Sequence, residues 1–170
     1  AAAAYTMGTR RMIQNDRPLI GTYNVHQEGS SDMYYKGANI LHTLRTWIDD
    51  DKKWREILIG LNTEFRHQTI TSQQLENYIA NQAGLDLTAF WEQYLRTTKV
   101  PKFIYQADGN SLKYKYENIV EGFEMPLTIS VNGEEKQLPP KNEWQSITVN
   151  SPVLEVTVQK DFYVAVEKVK

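Results

Sequence analysis

The spacing of hydrophobic positions changes near Val100–Pro101 of this 170-residue chain. Before that point apolar residues recur every three or four positions, which is the period of amphipathic α-helices. After it, apolar and polar residues alternate, and glycine, asparagine and proline separate the segments, as is typical of short β-strands. The sequence therefore predicts an α+β protein in two segregated parts, helical over residues 1–99 and β over residues 100–170.

The beginning of the helical part combines one helix, one loop and a strongly amphipathic segment. The alanine-rich start predicts a helix from Ala1 to about Asn15, because a breaker sequence follows there. The stretch from Leu19 to Met33 is rich in glycine, serine and asparagine and predicts a structured loop. Apolar residues at helical spacing then predict a helix with a broad apolar face over Lys36–Ile48.

Three further helices are predicted from their start and stop signals. Asp49–Asp51 place negative charge before the next apolar stripe, which suits a helix N-terminus. Thr71–Gln74 matches a capping box, and Gly84 is a suitable stop for that helix. Asp86 is predicted to cap a last short helix.

The second part contains seven candidate strands. Asn132–Gly133 between two of them predicts a tight hairpin, since such a two-residue turn requires positive φ angles. Seven short strands with close turn signals favour an antiparallel β-sandwich. The candidate strands are Phe103–Tyr105, Leu112–Ile119, Pro126–Val131, Lys136–Leu138, Trp144–Val149, Leu154–Val158 and Phe162–Val166.

Composition narrows the class of protein. Hydrophobic residues make up 41% and charged residues 24%, which is enough apolar material for a core. The net charge of -2 argues against a nucleic-acid partner, and no apolar run reaches the ~20 residues of a membrane span. The absence of cysteine excludes disulfides and thiol chemistry, and the start of the chain is not expected to be a signal peptide. The compartment stays open between cytoplasm and periplasm, with a slight lean to the periplasm.

No motif for a metal or nucleophile centre is present. The three histidines, His26, His42 and His67, are 16 and 25 positions apart, and none belongs to an H-E-x-x-H pattern. Neither a G-x-S-x-G elbow nor a glycine-rich phosphate loop occurs. The helical carboxylates Glu56, Glu64 and Glu92 are interpreted as a solvated face. The chain itself is therefore expected to bind no metal and no other cofactor.

The most informative stretch is Ser31–Ala38. It can be interpreted as a loop entering a helix, with packed aromatic residues and a lysine that extends to solvent. Gly37, however, falls early in a helix, where glycine costs ~1 kcal/mol relative to alanine and suggests a close backbone approach. The neighbours Tyr34 and Tyr35 point in different directions, so at least one hydroxyl is expected to face a cleft.

This stretch resembles the Tyr-x-Lys-Gly segment of gluzincin zinc aminopeptidases, the aminopeptidase N and leukotriene-A hydrolase-like family. Asp86–Leu95 followed by Val100–Pro101 is similar to the helix that ends their thermolysin-like catalytic domain. Leu112–Tyr116 and Phe123–Leu127 resemble the β-sandwich that comes next. The resemblance covers about Arg17 to the C-terminus and implies the helical end of that catalytic domain followed by the sandwich.

The family's H-E-x-x-H helix, its further zinc-binding Glu and its G-x-M-E-N strand are absent. They lie N-terminal to this region in the family, so the resemblance implies a C-terminal piece of a longer enzyme, which we call the parent protein. Some shorter bacterial members of the family look as if they stop after the sandwich, and the resemblance implies the same expectation for the parent protein. In the parent protein zinc would be the cofactor and peptides the substrates. An upstream segment of the catalytic domain would be the partner of this piece, which alone is expected to be inactive and to bind no zinc.

One site residue carries over from the resemblance. Tyr34 matches the family tyrosine whose hydroxyl donates a hydrogen bond to the oxyanion of the tetrahedral intermediate. A phenol suits that role, because it is a neutral donor at pH 7. Lys36 and Gly37 match the motif but are interpreted as structural. The alternatives are a packing role for Tyr34, and a non-catalytic interaction or scaffold module from a parent that lacks the zinc site.

Overall fold

The computed structural model describes residues 2–21 and 30–170. Within these residues all α-helices precede all strands. The helices are α1 (Ala2–Gly8), α2 (Asp32–Ile48), α3 (Asp51–Glu64), α4 (Ser72–Ala83) and α5 (Thr88–Leu95), with a 3-10 turn at Arg10–Met12. The strands are β1 (Lys102–Asp108), β2 (Ser111–Glu117), β3 (Leu127–Val131), β4 (Glu134–Leu138), β5 (Gln145–Thr148), β6 (Val156–Val158) and β7 (Ala165–Lys168).

The start and stop signals of the later helices are confirmed. The Asp50 carboxylate accepts a hydrogen bond from the Lys53 backbone nitrogen at 2.9 Å and so caps α3. Thr71 and Gln74 form a reciprocal capping box at α4, which Gly84 ends in the left-handed conformation. Asp86 lies one residue before Leu87, the N-cap residue of α5, and its carboxylate accepts from the Thr88 backbone nitrogen at 3.0 Å.

The first two helices differ from their predicted bounds. α1 ends at Gly8, and the side chain of Thr9 donates to the Thr6 carbonyl, a local bond that competes with continuation of the helix. α2 begins at Asp32 rather than Lys36, because its first turn, residues 32–35, precedes the apolar stripe of Ile40 and Leu44 from which the start was predicted. Of the predicted loop Leu19–Met33, residues 22–29 lie outside the described residues.

The strands form two sheets, with the orders β5-β2-β1-β7 and β4-β3-β6. The hairpin at Asn132–Gly133 is confirmed, because both residues have positive φ angles and join the antiparallel pair β3 and β4. The prediction of purely antiparallel sheets is wrong for β7, which runs parallel to β1. No hairpin joins β7 to β1, since the chain arrives there from the other sheet, and nothing therefore forces an antiparallel pairing.

The predicted strand Phe162–Val166 also begins later in the structure, at Ala165. Phe162 and Tyr163 are buried, but they lie in the connection between β6 and β7. The Tyr163 backbone nitrogen donates to the Thr43 hydroxyl of α2 at 2.8 Å instead of joining a strand ladder. These apolar residues therefore tie the connection to the helices.

Helices and sheets share one apolar core. Tyr94 of α5 is fully buried, and its ring centroid lies 6.0 Å from that of Phe123 and 5.9 Å from that of Tyr163. Its hydroxyl donates to the Tyr163 carbonyl at 2.7 Å, and burial raises the pKa of this phenol. The buried residues of the helical part and of the β part form a single cluster. The division into domains 1–99 and 100–170 therefore stays a prediction.

Candidate functional site

The two adjacent tyrosines of α2 occupy different environments. Tyr34 lies in the first turn of the helix and is 69% exposed. Tyr35 is half-buried. The expectation that the two side chains point in different directions agrees with this difference, and Tyr34 is the more accessible phenol.

Asp32 fixes the beginning of α2. Its side chain is fully buried, and its two carboxylate oxygens accept hydrogen bonds from the backbone nitrogens of Gln14 and Asn15, at 2.8 and 2.6 Å. The Ser30 hydroxyl accepts from the Asp32 backbone nitrogen at 3.2 Å. Asp32 therefore joins the first turn of α2 to the segment that follows the 3-10 turn.

Lys36 lies one helical turn further along. It is fully buried, and its Nζ donates to the Thr97 carbonyl at 3.0 Å. The interpretation of a lysine that extends to solvent is wrong, because Nζ ends on the connection between α5 and β1. Burial lowers the pKa of the Lys36 ammonium, and the charge of Asp32 acts against that shift.

Two more buried polar side chains continue the series. Asn39 donates through Nδ2 to the Thr6 carbonyl at 3.0 Å and accepts from Nε of Arg10 at 2.7 Å. Thr43 accepts from the Tyr163 backbone nitrogen. We call Asp32, Lys36, Asn39 and Thr43 the buried polar stripe of α2, since they recur at helical spacing on one side of the helix.

The position of the buried polar stripe determines the direction in which Tyr34 points. At 3.6 residues per turn, Tyr34 and Leu41 lie on the side of α2 opposite the stripe. The stripe binds α2 to α1, to the chain beyond α5 and to the β6–β7 connection, so the helix is held along its length. Tyr34 is thus an exposed phenol on a rigid support.

Sequence reasoning missed Asn39 and Thr43 and took Lys36 as partly solvated. The available signal was the spacing of 32, 36, 39 and 43, which places four polar residues on one helical face. This polar spacing was overlooked, because the apolar neighbours Ile40 and Leu44 supply the amphipathic pattern of the same helix.

Gly37 does not approach another part of the described chain. A Cβ atom built there would meet no atom within 4 Å. The interpretation of a close backbone approach is therefore wrong within residues 2–21 and 30–170.

We expect Gly37→Ala to stabilise the isolated chain by about 0.5–1 kcal/mol, because alanine has the higher helix propensity and meets no clash. Urea denaturation measures the free energy of unfolding. Gly84→Ala is the matched control and should destabilise the chain, since Gly84 has a φ of +71°. A destabilising Gly37→Ala would show that the glycine is needed within the chain.

The candidate metal ligands do not come together in residues 2–21 and 30–170. No group of three or more His, Asp or Glu side chains suited to a metal ion occurs there. The Nε2 atom of His42 lies 2.7 Å from Oδ1 of Asp161, and the Nε2 atom of His67 lies 3.1 Å from Nε of Arg66. His26 lies outside the described residues.

We expect the isolated chain to retain no zinc after dialysis, because zinc sites use three or four clustered ligands. Metal analysis of the dialysed protein gives the zinc content. A content near one zinc per chain would contradict this prediction.

Within the described part of the chain, the helices are too short or too polar to cross a bilayer.

The fold defined by these helices and sheets occurs in a known aminopeptidase structure. The crystal structure of Legionella pneumophila aminopeptidase A in complex with aspartic acid matches 97% of this chain and 21% of its own, with a TM-score of 0.64 and 16% identity. "Probable aminopeptidase 2" of Sulfurisphaera tokodaii is 23% identical over 135 residues, which is 75% of this chain and 17% of that protein. The chain thus spans about a fifth of the length of the relatives it matches. No family model matches the sequence.

Proposed function

We propose that this chain is the C-terminal part of a zinc-dependent aminopeptidase that removes residues from peptide N-termini. The similarity to two named aminopeptidases supports a peptidase-related role. The Tyr-x-Lys-Gly resemblance supports the finer assignment to the gluzincins. On this proposal the helices end a thermolysin-like catalytic domain, and the two sheets are its following β-sandwich.

The observation that carries the proposal is the exposed side of α2. Met33, Tyr34 and Leu41 are 49%, 69% and 42% exposed and lie on or beside the side of the helix that faces away from the buried polar stripe. We take this exposed apolar surface, on a helix whose other side carries buried, hydrogen-bonded polar side chains, to be an interaction face. We propose that the upstream catalytic segment of the parent protein packs on it.

Gly37 fits this proposal as well. It lies between Tyr34 and Leu41 along α2, and no atom of the described chain approaches it. A docked upstream segment would supply the close approach that the sequence suggested. Gly37→Ala should then lower the activity of the parent protein even though it stabilises the isolated chain.

The catalytic role we propose for Tyr34 is hydrogen-bond donation to the oxyanion that forms when the scissile carbonyl becomes tetrahedral. Such a donor acts mainly in the transition state, because the negative charge on oxygen develops only there. The stripe on the far side of α2 would keep the phenol in place.

The described residues of this chain do not fit a zinc site, since they hold no cluster of ligands. Zinc would therefore be held by residues of the parent protein that lie outside this chain. On this proposal the chain would supply a hydrogen-bond donor and structural support, and the rest of the parent protein would supply the metal ligands.

The coding sequence upstream of Ala1 tests the proposal. An H-E-x-x-H motif followed by a further glutamate is expected there. An upstream sequence without these ligands would contradict the enzyme and favour a scaffold module.

A further inference from the structure

An acidic groove lies between α5 and the connection from β2 to β3, beside the C-terminal end of α2. Its cavity volume is about 490 Å³, within the ~300–1,000 Å³ of ligand pockets. Trp47, Ala89 and Phe90 form its helical wall, and the buried Phe123 and Met125 complete an apolar floor.

The rim of this groove is acidic. Asp86, Glu92, Glu121 and Glu124 line it, all four are exposed, and no described lysine, arginine or histidine lines it with them. This excess of acidic side chains is a local feature of the groove, because the whole chain contains 19 basic and 21 acidic residues.

Two of the four rim carboxylates form ion pairs with basic side chains of the chain. Glu124 lies 2.9 Å from Nζ of Lys141, and Glu92 lies 3.8 Å from Nε of Arg96. The Asp86 carboxylate accepts the Thr88 backbone N–H, and this hydrogen bond lowers its pKa.

From this arrangement we infer that the acidic groove binds a peptide segment in which a lysine or arginine stands next to an apolar side chain. The cationic head would pair with the rim carboxylates, and the apolar side chain would lie on the floor. Trp47 adds an indole face at the edge, to which a cation is attracted.

The groove is a site separate from Tyr34. Tyr34 and Trp47 are thirteen positions apart on α2, which is about 20 Å of helix at 1.5 Å per residue. Binding there requires neither zinc nor the upstream segment, so the inference goes beyond the proposed function and can fail or succeed independently of it.

Fluorescence anisotropy with the 170-residue chain tests the inference. The probe is a fluorescein-labelled, N-acetylated heptapeptide of alternating lysine and leucine. An analogue with norleucine for lysine should bind at least about tenfold more weakly, since its ion pairs with the rim carboxylates are lost. An analogue with serine for leucine should bind about fivefold more weakly, because the apolar contact is lost.

Variants of the chain locate the binding. Glu121→Gln combined with Glu124→Gln should weaken binding about fivefold, whereas Glu134→Gln combined with Glu135→Gln on β4 should change it less than twofold. Equal affinity of the two double variants would overturn the inference. A concentration-dependent dimer that the groove variant disrupts, seen by sedimentation, would also overturn it, because a second copy would then be the occupant.

Discussion

Tyr34→Phe in the parent protein is expected to lower kcat by roughly 10²–10³, the usual effect of removing one oxyanion donor. The phenylalanine ring keeps the shape of the side chain and removes only the hydroxyl. KM should change little, because the hydrogen bond forms mainly in the transition state. Steady-state kinetics with an aminoacyl-anilide substrate measure both constants.

Tyr35→Phe is the internal control for this measurement. Tyr35 is the neighbouring phenol on the same turn, occupies the variable position of the motif and is half-buried. It should keep most of the activity. A packing role for Tyr34 predicts instead that Tyr34→Phe leaves kcat nearly unchanged, and that result would contradict the catalytic assignment.

Asp32→Ala should destabilise the isolated chain by about 2–4 kcal/mol. The substitution removes the buried, charged acceptor of two part-buried backbone hydrogen bonds, from Gln14 and Asn15, and a hydrogen bond to a charged group contributes about 1.5–3 kcal/mol before water replaces part of it. It also removes the negative charge near the buried ammonium of Lys36. Urea denaturation measures the loss of unfolding free energy.

Asp108→Ala is the matched control for Asp32→Ala. Asp108 is exposed at the end of β1, so its loss should stay within about 0.5 kcal/mol. A loss at Asp32 no larger than that of the control would show that the stripe does not hold α2.

Local rules predicted those elements whose determinants are adjacent in sequence. The capping box at Thr71–Gln74 and the turn at Asn132–Gly133 each depend on a few consecutive residues, and both are confirmed. The direction of β7 was not predictable in this way. It depends on where the chain re-enters a sheet after crossing from the other one, and no local pattern encodes that.

The candidate site shows the same limit. The sequence placed Tyr34 at the start of a helix, but the burial of Lys36 depends on Thr97, which is 61 positions away. Asn39 and Thr43 likewise find partners in α1, the 3-10 turn and the β6–β7 connection. The spacing of these polar residues on α2 could be seen in the sequence. Their hydrogen-bond partners could not, because those partners are distant along the chain.

Hydrolysis of a leucyl-anilide by the parent protein tests the central claim most directly. A zinc aminopeptidase should cleave the free-amine substrate but not its N-acetylated analogue, lose activity on dialysis against a chelator, and regain it when zinc is added. A parent protein that cleaves neither substrate, or whose activity is unchanged by the chelator, would contradict the assignment of this chain to such an enzyme.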